Sequence, residues 1–128
     1  MSAPSDYAPV VRLTILVIED EPIIALDIQM MLEEDGHHVL GPVGRLEQAL
    51  RLLETSQPDL ATLDLNLHGH PATPIAEQLR ARSIPFIVAS ADFAVVSGDA
   101  AFAGATGITK PIQRDELLAA LHHIIDLC

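Results

Sequence analysis

Five side chains that can bind a metal ion or a phosphoryl group stand directly after short apolar runs of the sequence. They are Glu19, Asp20, Asp64, Ser90 and Lys110. Such runs are typical of buried parallel strands, and the carboxyl ends of parallel strands meet at one edge of an α/β sheet, where ligands bind. Carboxylates suit a divalent cation, while a hydroxyl and a lysine can hold phosphate oxygens. The sequence therefore predicts one cleft that holds a cation and a phosphoryl group together.

Strand-like runs alternate with helical patterns along the chain. The predicted strands are Leu13–Ile18, Val39–Leu40, Leu60–Leu65, Phe86–Ala89 and Gly107–Thr109. Between and after them, apolar residues recur at helical spacing in four stripes: Ile24, Ile28 and Met31; Leu46, Ala49, Leu50 and Leu53; Ile75, Ala76 and Leu79; Leu117, Leu118, Leu121, Ile124 and Ile125. The alternation predicts an α/β fold, a doubly wound (βα)5 parallel sheet of five strands with right-handed crossovers.

Glycine and proline mark the expected breaks. Gly36 is predicted to end the first helix, Gly41-Pro42 to end the second strand, and Asn66–Pro71 to form a loop. The segment Ala91–Gly104 predicts only a short or weakly held fourth helix, because it has an internal glycine and many small alanines.

Size and charge limit the classes of function. The 128 residues fit one domain, with Met1–Val11 as a flexible lead-in and 12–128 as the folded part, and leave no room for a second, DNA-binding module. Seven Lys and Arg against 18 Asp and Glu give a net charge of −11, which argues against binding nucleic acid or an anionic membrane. No signal peptide or membrane span is evident, so a cytoplasmic protein is expected.

Four pieces of the chain, in this order, resemble the receiver domain of two-component response regulators, in which a histidine kinase passes a phosphoryl group to an aspartate. They are LVIEDEP (Leu16–Pro22), LDLNLHG (Leu63–Gly69), PFIVASAD (Pro85–Asp92) and ITKP (Ile108–Pro111). The likeness extends from Leu13 to the C-terminus and implies the flavodoxin-like strand order 2-1-3-4-5. EDEP followed by ALDI, GHHVLGPV and DLNLHG are similar to stand-alone receivers of alphaproteobacteria that pair with histidine kinases of the HWE class.

The acidic residues take the metal and acceptor roles. Asp64 is the candidate phosphoacceptor, since Mg²⁺ shields its charge from the incoming phosphoryl group. The resemblance implies that Asp20, Asp64 and the backbone carbonyl of Asn66 bind Mg²⁺ directly and that Glu19 acts through water. The alternative for Asp64 is a turn or helix-capping aspartate, and Glu21 is interpreted as a solvated acid at a helix start.

The remaining site residues handle the phosphate. By resemblance, Lys110 pairs first with Asp64 and then with a phosphate oxygen, and its bond to Pro111 is cis. Ser90 is predicted to supply a hydroxyl to the phosphate, and small Ala91 is predicted to leave the acceptor open and to contact the phosphate through its backbone. A surface lysine and an ordinary strand-end serine are the alternatives.

The histidines predict no dedicated metal site. His68 and His70 lie two residues apart, but no further Cys or His completes a zinc set, so His68 is instead a candidate for controlling water access to the phosphoryl group. Four others are predicted to be partly exposed polar residues: His37, His38, His122 and His123.

The sequence departs from the family in the region that reports phosphorylation. Gly107 stands where many receivers have an aromatic residue, and Ser90-Ala91-Asp92, followed by Phe93, stands where that subfamily tends toward Thr-Gly-Tyr. The output is therefore predicted to run through rearrangement of Ser90–Thr106.

Together these features predict a Mg²⁺-dependent signalling switch. Its partners are a histidine kinase and a downstream protein bound by the surface of the fourth helix, fifth strand and fifth helix, with no nucleic acid or membrane. It is no enzyme beyond its own phosphotransfer and dephosphorylation. Two alternatives are a phosphorylation-independent binding module and a haloacid-dehalogenase-type phosphatase, which requires an aspartate where this chain has Asn66. A natural stand-alone protein and an excised domain both fit the sequence.

Overall fold

The computed structural model describes residues 11–91 and 100–127. Most of the predicted lead-in, Met1–Val11, lies outside the described residues. So does much of the predicted weak helix between Ala91 and Gly104, including Asp92 and Phe93.

One parallel sheet of five strands forms the centre of the domain. Its strands are β1 (Thr14–Ile18), β2 (His38–Val43), β3 (Leu60–Asp64), β4 (Phe86–Ser90) and β5 (Thr106–Thr109). They are arranged in the order β2-β1-β3-β4-β5, and every neighbouring pair is parallel. The predicted fold class and strand order are confirmed.

The second strand is longer than predicted. It continues through Gly41 and Pro42 to Val43, and its register against β1 shifts between Leu16 and Ile18. Gly41 has a φ of +90°, and a Cβ there would lie 2.9 Å from the backbone nitrogen of Val43. The prediction that Gly41-Pro42 ends the strand is wrong, because glycine lets the backbone bulge while pairing resumes beyond it.

Within the described residues, four helices flank the sheet: α1 (Pro22–Glu34), α2 (Leu46–Thr55), α3 (Thr73–Ala81) and the C-terminal helix (Arg114–Leu127). α1 carries Pro22 in its first turn, and Gly36, with a φ of +94°, lies just beyond its end as predicted. A 3₁₀ turn at Ala100–Phe102 precedes β5.

The predicted loop after β3 is instead a small antiparallel hairpin. Asn66 pairs with Pro71 and Leu67 with His70. The turn between these two short strands holds His68 and Gly69 at φ values of 51° and 85°. A left-handed turn of this kind allows a two-residue connection, so the loop prediction is wrong for this segment.

Each face of the sheet packs against one pair of helices. Alternate residues of β1 point to opposite faces: Ile15 and Val17 pack with α1 and the C-terminal helix, while Leu16 and Ile18 pack with α2 and α3. All four predicted apolar stripes contribute to these two layers, either as buried residues or as partly buried residues packed against them.

One histidine prediction is wrong. His37 is only 6% exposed, and its Nδ1 accepts a hydrogen bond of 3.2 Å from the backbone N–H of Leu13. Nε2 therefore carries the proton and donates to Asp35 Oδ2 at 2.9 Å, an oxygen that also lies 3.1 Å from His122 Nε2. The imidazole is buried because both of its nitrogens have partners in the protein. The other three histidines of that prediction are exposed.

Across the described ranges 11–91 and 100–127, no helix combines the length and the apolar character needed to cross a membrane.

Candidate functional site

The carboxyl ends of four neighbouring strands deliver the predicted site residues to one edge of the sheet. Glu19 and Asp20 follow β1, Asp64 ends β3, Ser90 ends β4 and Lys110 follows β5. The register places Asp64 beside Ala89 and Ser90 beside Thr109. The backbone N–H of Lys110 donates to the carbonyl of Ser90 at 2.9 Å, which fixes the start of the lysine against β4.

Lys110 lies among three carboxylates. Its Nζ is 3.0 Å from Glu19 Oε1, 3.1 Å from Glu19 Oε2 and 3.3 Å from Asp64 Oδ2. Glu21 Oε1 is 3.5 Å away. The Lys110 side chain is 13% exposed and that of Glu19 only 1%, whereas Glu21 is 62% exposed and solvent screens its contact. The buried pairs therefore define the centre of the site.

The site contains more negative charge than one ammonium can balance. Burial raises the pKa of Glu19 to about 7, even though the hydrogen bond from Lys110 acts in the opposite direction. Burial also raises the pKa of Asp64. The pKa of Lys110 is raised as well, because Glu19 and Asp64 stabilise the ammonium by more than burial destabilises it. A second positive charge would relieve this imbalance.

The acidic run at the end of β1 fits a divalent cation. Carboxylate oxygens of Glu19, Asp20 and Glu21 lie within 4.8 Å of one another. Lys110 Nζ lies within 3.1 Å of both oxygens of Glu19, and its hydrogen bond goes to Oε2, so Oε1 is held by the charge of the ammonium alone. Hard carboxylate oxygens grouped in this way suit Mg²⁺.

The surroundings of Asp20 favour its ionised form. Burial would raise its pKa, but the backbone N–H of His68 donates to Oδ2 at 2.9 Å, and this and neighbouring hydrogen bonds leave the pKa below its ordinary value. This hydrogen bond also ties the hairpin after β3 to the end of β1. Nothing in the spacing of Asp20 and His68 along the chain predicts it.

Gly44 packs closely against the backbone of Glu19 and Asp20. The backbone N–H of Glu19 donates to the carbonyl of Val43 at 2.9 Å, and the chain then passes close to Asp20 at Gly44. A Cβ at Gly44 would lie 3.2 Å from Asp20 Cα and 3.3 Å from the Glu19 carbonyl oxygen. Gly44 therefore belongs to the site as a support that the sequence analysis missed, since a glycine after a strand is not a specific signal.

Comparison with known proteins agrees with this geometry. The model of the response regulator receiver domain matches residues 15–122. The chain belongs to the response regulator receiver domain family. Receiver domains are signalling modules of two-component systems that work with histidine kinases.

Individual relatives support the assignment. The transcriptional regulatory protein PdtaR of Mycobacterium tuberculosis is 29% identical over 125 residues, which cover 94% of this chain and 61% of PdtaR. The chain thus spans less than two thirds of the length of the curated relatives it matches.

Solved structures show the same fold. SdrG from Sphingomonas melonis is 36% identical, with a TM-score of 0.76 over 88% of this chain and 95% of SdrG. The receiver domain of sensor histidine kinase PA1611 from Pseudomonas aeruginosa is 27% identical, with a TM-score of 0.78 over 91% of this chain and 99% of that one. That structure holds a magnesium ion coordinated in its active-site cleft.

Some of the contacts predicted for the site residues are present in the structure. Lys110 pairs with Asp64 as expected, and the Lys110-Pro111 bond is cis. The predicted metal ligands are Glu19, Asp20, Asp64 and Asn66. Two of them, Glu19 and Asp20, belong to the group of carboxylates whose oxygens lie within 4.8 Å of one another. The Asn66 backbone N–H lies 3.5 Å from Asp64 Oδ1, while its side-chain oxygen accepts from Gly69 at 2.8 Å.

Two phosphate-handling candidates lie where the strand order places them. Ser90 is buried at the end of β4, and Ala91 is exposed immediately after it. Their predicted contacts with a phosphate stay predictions.

Proposed function

We propose that this receiver domain is a phosphorylation-dependent switch that accepts a phosphoryl group on Asp64 from a histidine kinase. The observation that carries the proposal is the position of Asp64. It ends the central strand β3 with its carboxylate held by Lys110, beside an acidic cluster with surplus negative charge. A switch of this kind needs an acceptor, a cation site and a movable positive charge, and the candidates for all three lie at this one edge of the sheet.

In the proposed phosphoryl transfer, the protein supplies the attacking oxygen and two groups that bind the phosphoryl oxygens. An Asp64 oxygen attacks the phosphorus of a phosphohistidine, so that a P–O bond forms while the P–N bond breaks. The leaving imidazole nitrogen keeps the electron pair and takes a proton from water. Lys110 then turns from Asp64 Oδ2 to a phosphoryl oxygen, and the Ser90 hydroxyl donates to another.

Mg²⁺ is the cofactor that this site would use. Glu19, Asp20, Asp64 and the backbone carbonyl of Asn66 would hold it, and when bound it would supply positive charge against the carboxylate and phosphoryl oxygens. The low pKa of Asp20 keeps one ligand ionised at neutral pH.

The partners are proteins. The EDEP, GHHVLGPV and DLNLHG segments favour a histidine kinase of the HWE class as the phosphoryl donor. The proposed location of the protein is the cytoplasm. The downstream protein would bind the surface that includes β5 and the C-terminal helix, and the net charge of −11 favours a partner with a basic face over nucleic acid.

The two alternatives explain less of the site. A phosphorylation-independent binding module does not need three acids around a buried lysine. A phosphatase of the haloacid dehalogenase type needs a general acid two residues after the nucleophile. Here that residue is Asn66, and its side-chain oxygen is engaged by Gly69 within the hairpin.

Labelling with a small acyl phosphate and Mg²⁺ tests the proposal. Intact-protein mass spectrometry should show one added phosphoryl group on the wild type and none on D64N. D27N, which changes an exposed acid on α1, is the matched control and should be labelled like the wild type. A chelator should prevent labelling. Undiminished labelling of D64N would exclude Asp64 as the acceptor.

A further inference from the structure

An arginine at the opposite edge of the sheet from the acidic site binds a turn of the backbone. Arg80 lies in the last turn of α3. Its Nε–H donates to the carbonyl of Ala101 at 2.6 Å, and its Nη2–H donates to the carbonyl of Ala103. The guanidinium carbon lies 5.6 Å from the centroid of the Phe86 ring. A planar guanidinium suits this combination, because it can bond two carbonyls while it covers an aromatic face.

The turn that Arg80 holds is anchored by a second contact. Phe102 is 7% exposed, and its ring meets Phe86 edge to face, with centroids 6.4 Å apart. Within the turn, Ala103 N–H donates to Ala100 O at 3.2 Å and Ala105 N–H donates to Phe102 O at 3.0 Å. Arg80 therefore binds the backbone of the turn, and Phe86 packs against its aromatic side chain, Phe102.

On its C-terminal side, the turn is joined to the acidic site by one short strand. Ala105 directly precedes β5, and β5 leads after four residues to Lys110. Gly107, in the middle of β5, has no side chain with which to relay a movement. A displacement of Lys110 would therefore be transmitted to the turn by the β5 backbone itself.

We propose that Arg80 is a positioning residue, a clasp that holds the 100–103 turn in the unphosphorylated conformation and opposes the conformational change on phosphorylation. This inference rests on the proposed function. In the described conformation Lys110 is bound by Glu19 and Asp64, and the clasp is closed. A contact that favours one of two conformations shifts their equilibrium by its difference in free energy between them, so opening the clasp should favour the phosphorylated form.

The chain offers a matched control two residues away. Arg82, the residue that caps the end of α3, donates through Nη1 to the carbonyl of Leu53 in α2. R82A removes an arginine bonded to a backbone carbonyl from the same end of the same helix, but leaves the 100–103 turn untouched. R80K keeps a positive charge over Phe86 and cannot form the paired hydrogen bonds of a guanidinium.

Amide hydrogen exchange without phosphate tests the clasp. R80A should accelerate exchange of the Ala103 and Ala105 amides by about tenfold or more, since hydrogen bonds from a charged donor are lost. R80K should give an intermediate rate, and R82A should stay within about twofold of the wild type. Equal protection of these two amides in R80A and the wild type would overturn the proposal.

Binding of beryllium fluoride, a phosphoryl mimic, tests the link to the site. With saturating Mg²⁺, R80A should bind the mimic about fivefold more tightly than the wild type, while its affinity for Mg²⁺ alone is unchanged. A purely structural role for Arg80 would weaken both or change neither, and either result would overturn the proposal. If the wild type fails to bind the mimic, the proposed function fails, and the exchange experiment still decides whether Arg80 holds the turn.

Discussion

Three consecutive acids at the end of β1 have three different environments. Glu19 points into the core of the site against Lys110, Asp20 is partly exposed and bonded by His68 N–H, and Glu21 is largely exposed at the start of α1. The strand ends here, so successive side chains no longer alternate across a sheet and each meets a different neighbour. Three acidic side chains that are adjacent in the sequence therefore have different surroundings and different expected roles.

Mg²⁺ affinity should separate Asp20 from Glu21. D20N should weaken Mg²⁺ binding by about tenfold or more, a size typical of changes around a metal site, because it removes an ionised oxygen expected to contact the ion. E21Q should change it by less than about threefold, since solvent screens that exposed side chain. Isothermal titration or Mg²⁺-dependent NMR shifts would measure both. Equal losses would mean that the acidic run acts as a diffuse field of charge.

The elements are held together by a few polar contacts between their ends, besides the two apolar layers. His37 is the clearest example, because its imidazole joins the start of β1 to the end of α1 through Leu13 N–H and Asp35. His122 brings the C-terminal helix to the same carboxylate, and Arg114 of that helix pairs with Glu34 beside it. These contacts join β1, α1 and the C-terminal helix at one end of the layer that they form on the sheet.

Replacement of the buried imidazole should destabilise the domain. H37A should lower the free energy of unfolding by about 2 kcal/mol, because it leaves a backbone N–H without its acceptor and opens a cavity. H38A, at the exposed neighbouring position, should change it by no more than about 0.5 kcal/mol. Urea unfolding followed by circular dichroism measures the difference. Similar values for the two variants would contradict the role assigned to His37.

The stability of the whole molecule should depend on the charge imbalance of the site. The pKa of Glu19 is about 7 in the fold against an ordinary 4.5, so between these values the folded state binds more protons than the unfolded state. Stability from this group is complete below pH 4.5 and is lost as the pH rises through 7. Burial raises the pKa of Asp64 and adds a change of the same sign.

Metal-free unfolding should show this dependence directly. The free energy of unfolding contributed by Glu19 should fall by at most about 3 kcal/mol between pH 4.5 and pH 8, the equivalent of the change in its pKa. E19Q should flatten that part of the curve. The two proteins differ only at residue 19, so the difference between the two curves isolates Glu19. Added Mg²⁺ should restore stability at high pH by binding the folded state. Parallel curves for E19Q and the wild type would contradict the assignment.

The sequence by itself determined the fold class, the order of the five strands, four of the helices and the five polar residues that the strand ends bring to one edge of the sheet. These follow from local signals: apolar periodicity defines each element, and a polar residue at the end of an apolar run must emerge at the sheet edge. The sequence also predicted that Lys110 faces Asp64, through its resemblance to a known family.

Only the tertiary structure decided which groups touch. The bonds from His68 N–H to Asp20, from Leu13 N–H to His37 and from Arg80 to the turn at Ala101 join residues 21 to 48 positions apart. The continuation of β2 past Gly41-Pro42 depended on a neighbouring strand with which it could resume pairing. Contacts of this kind arise from the packing of complete elements, and the local sequence on either side of them has no periodicity or motif that specifies a partner.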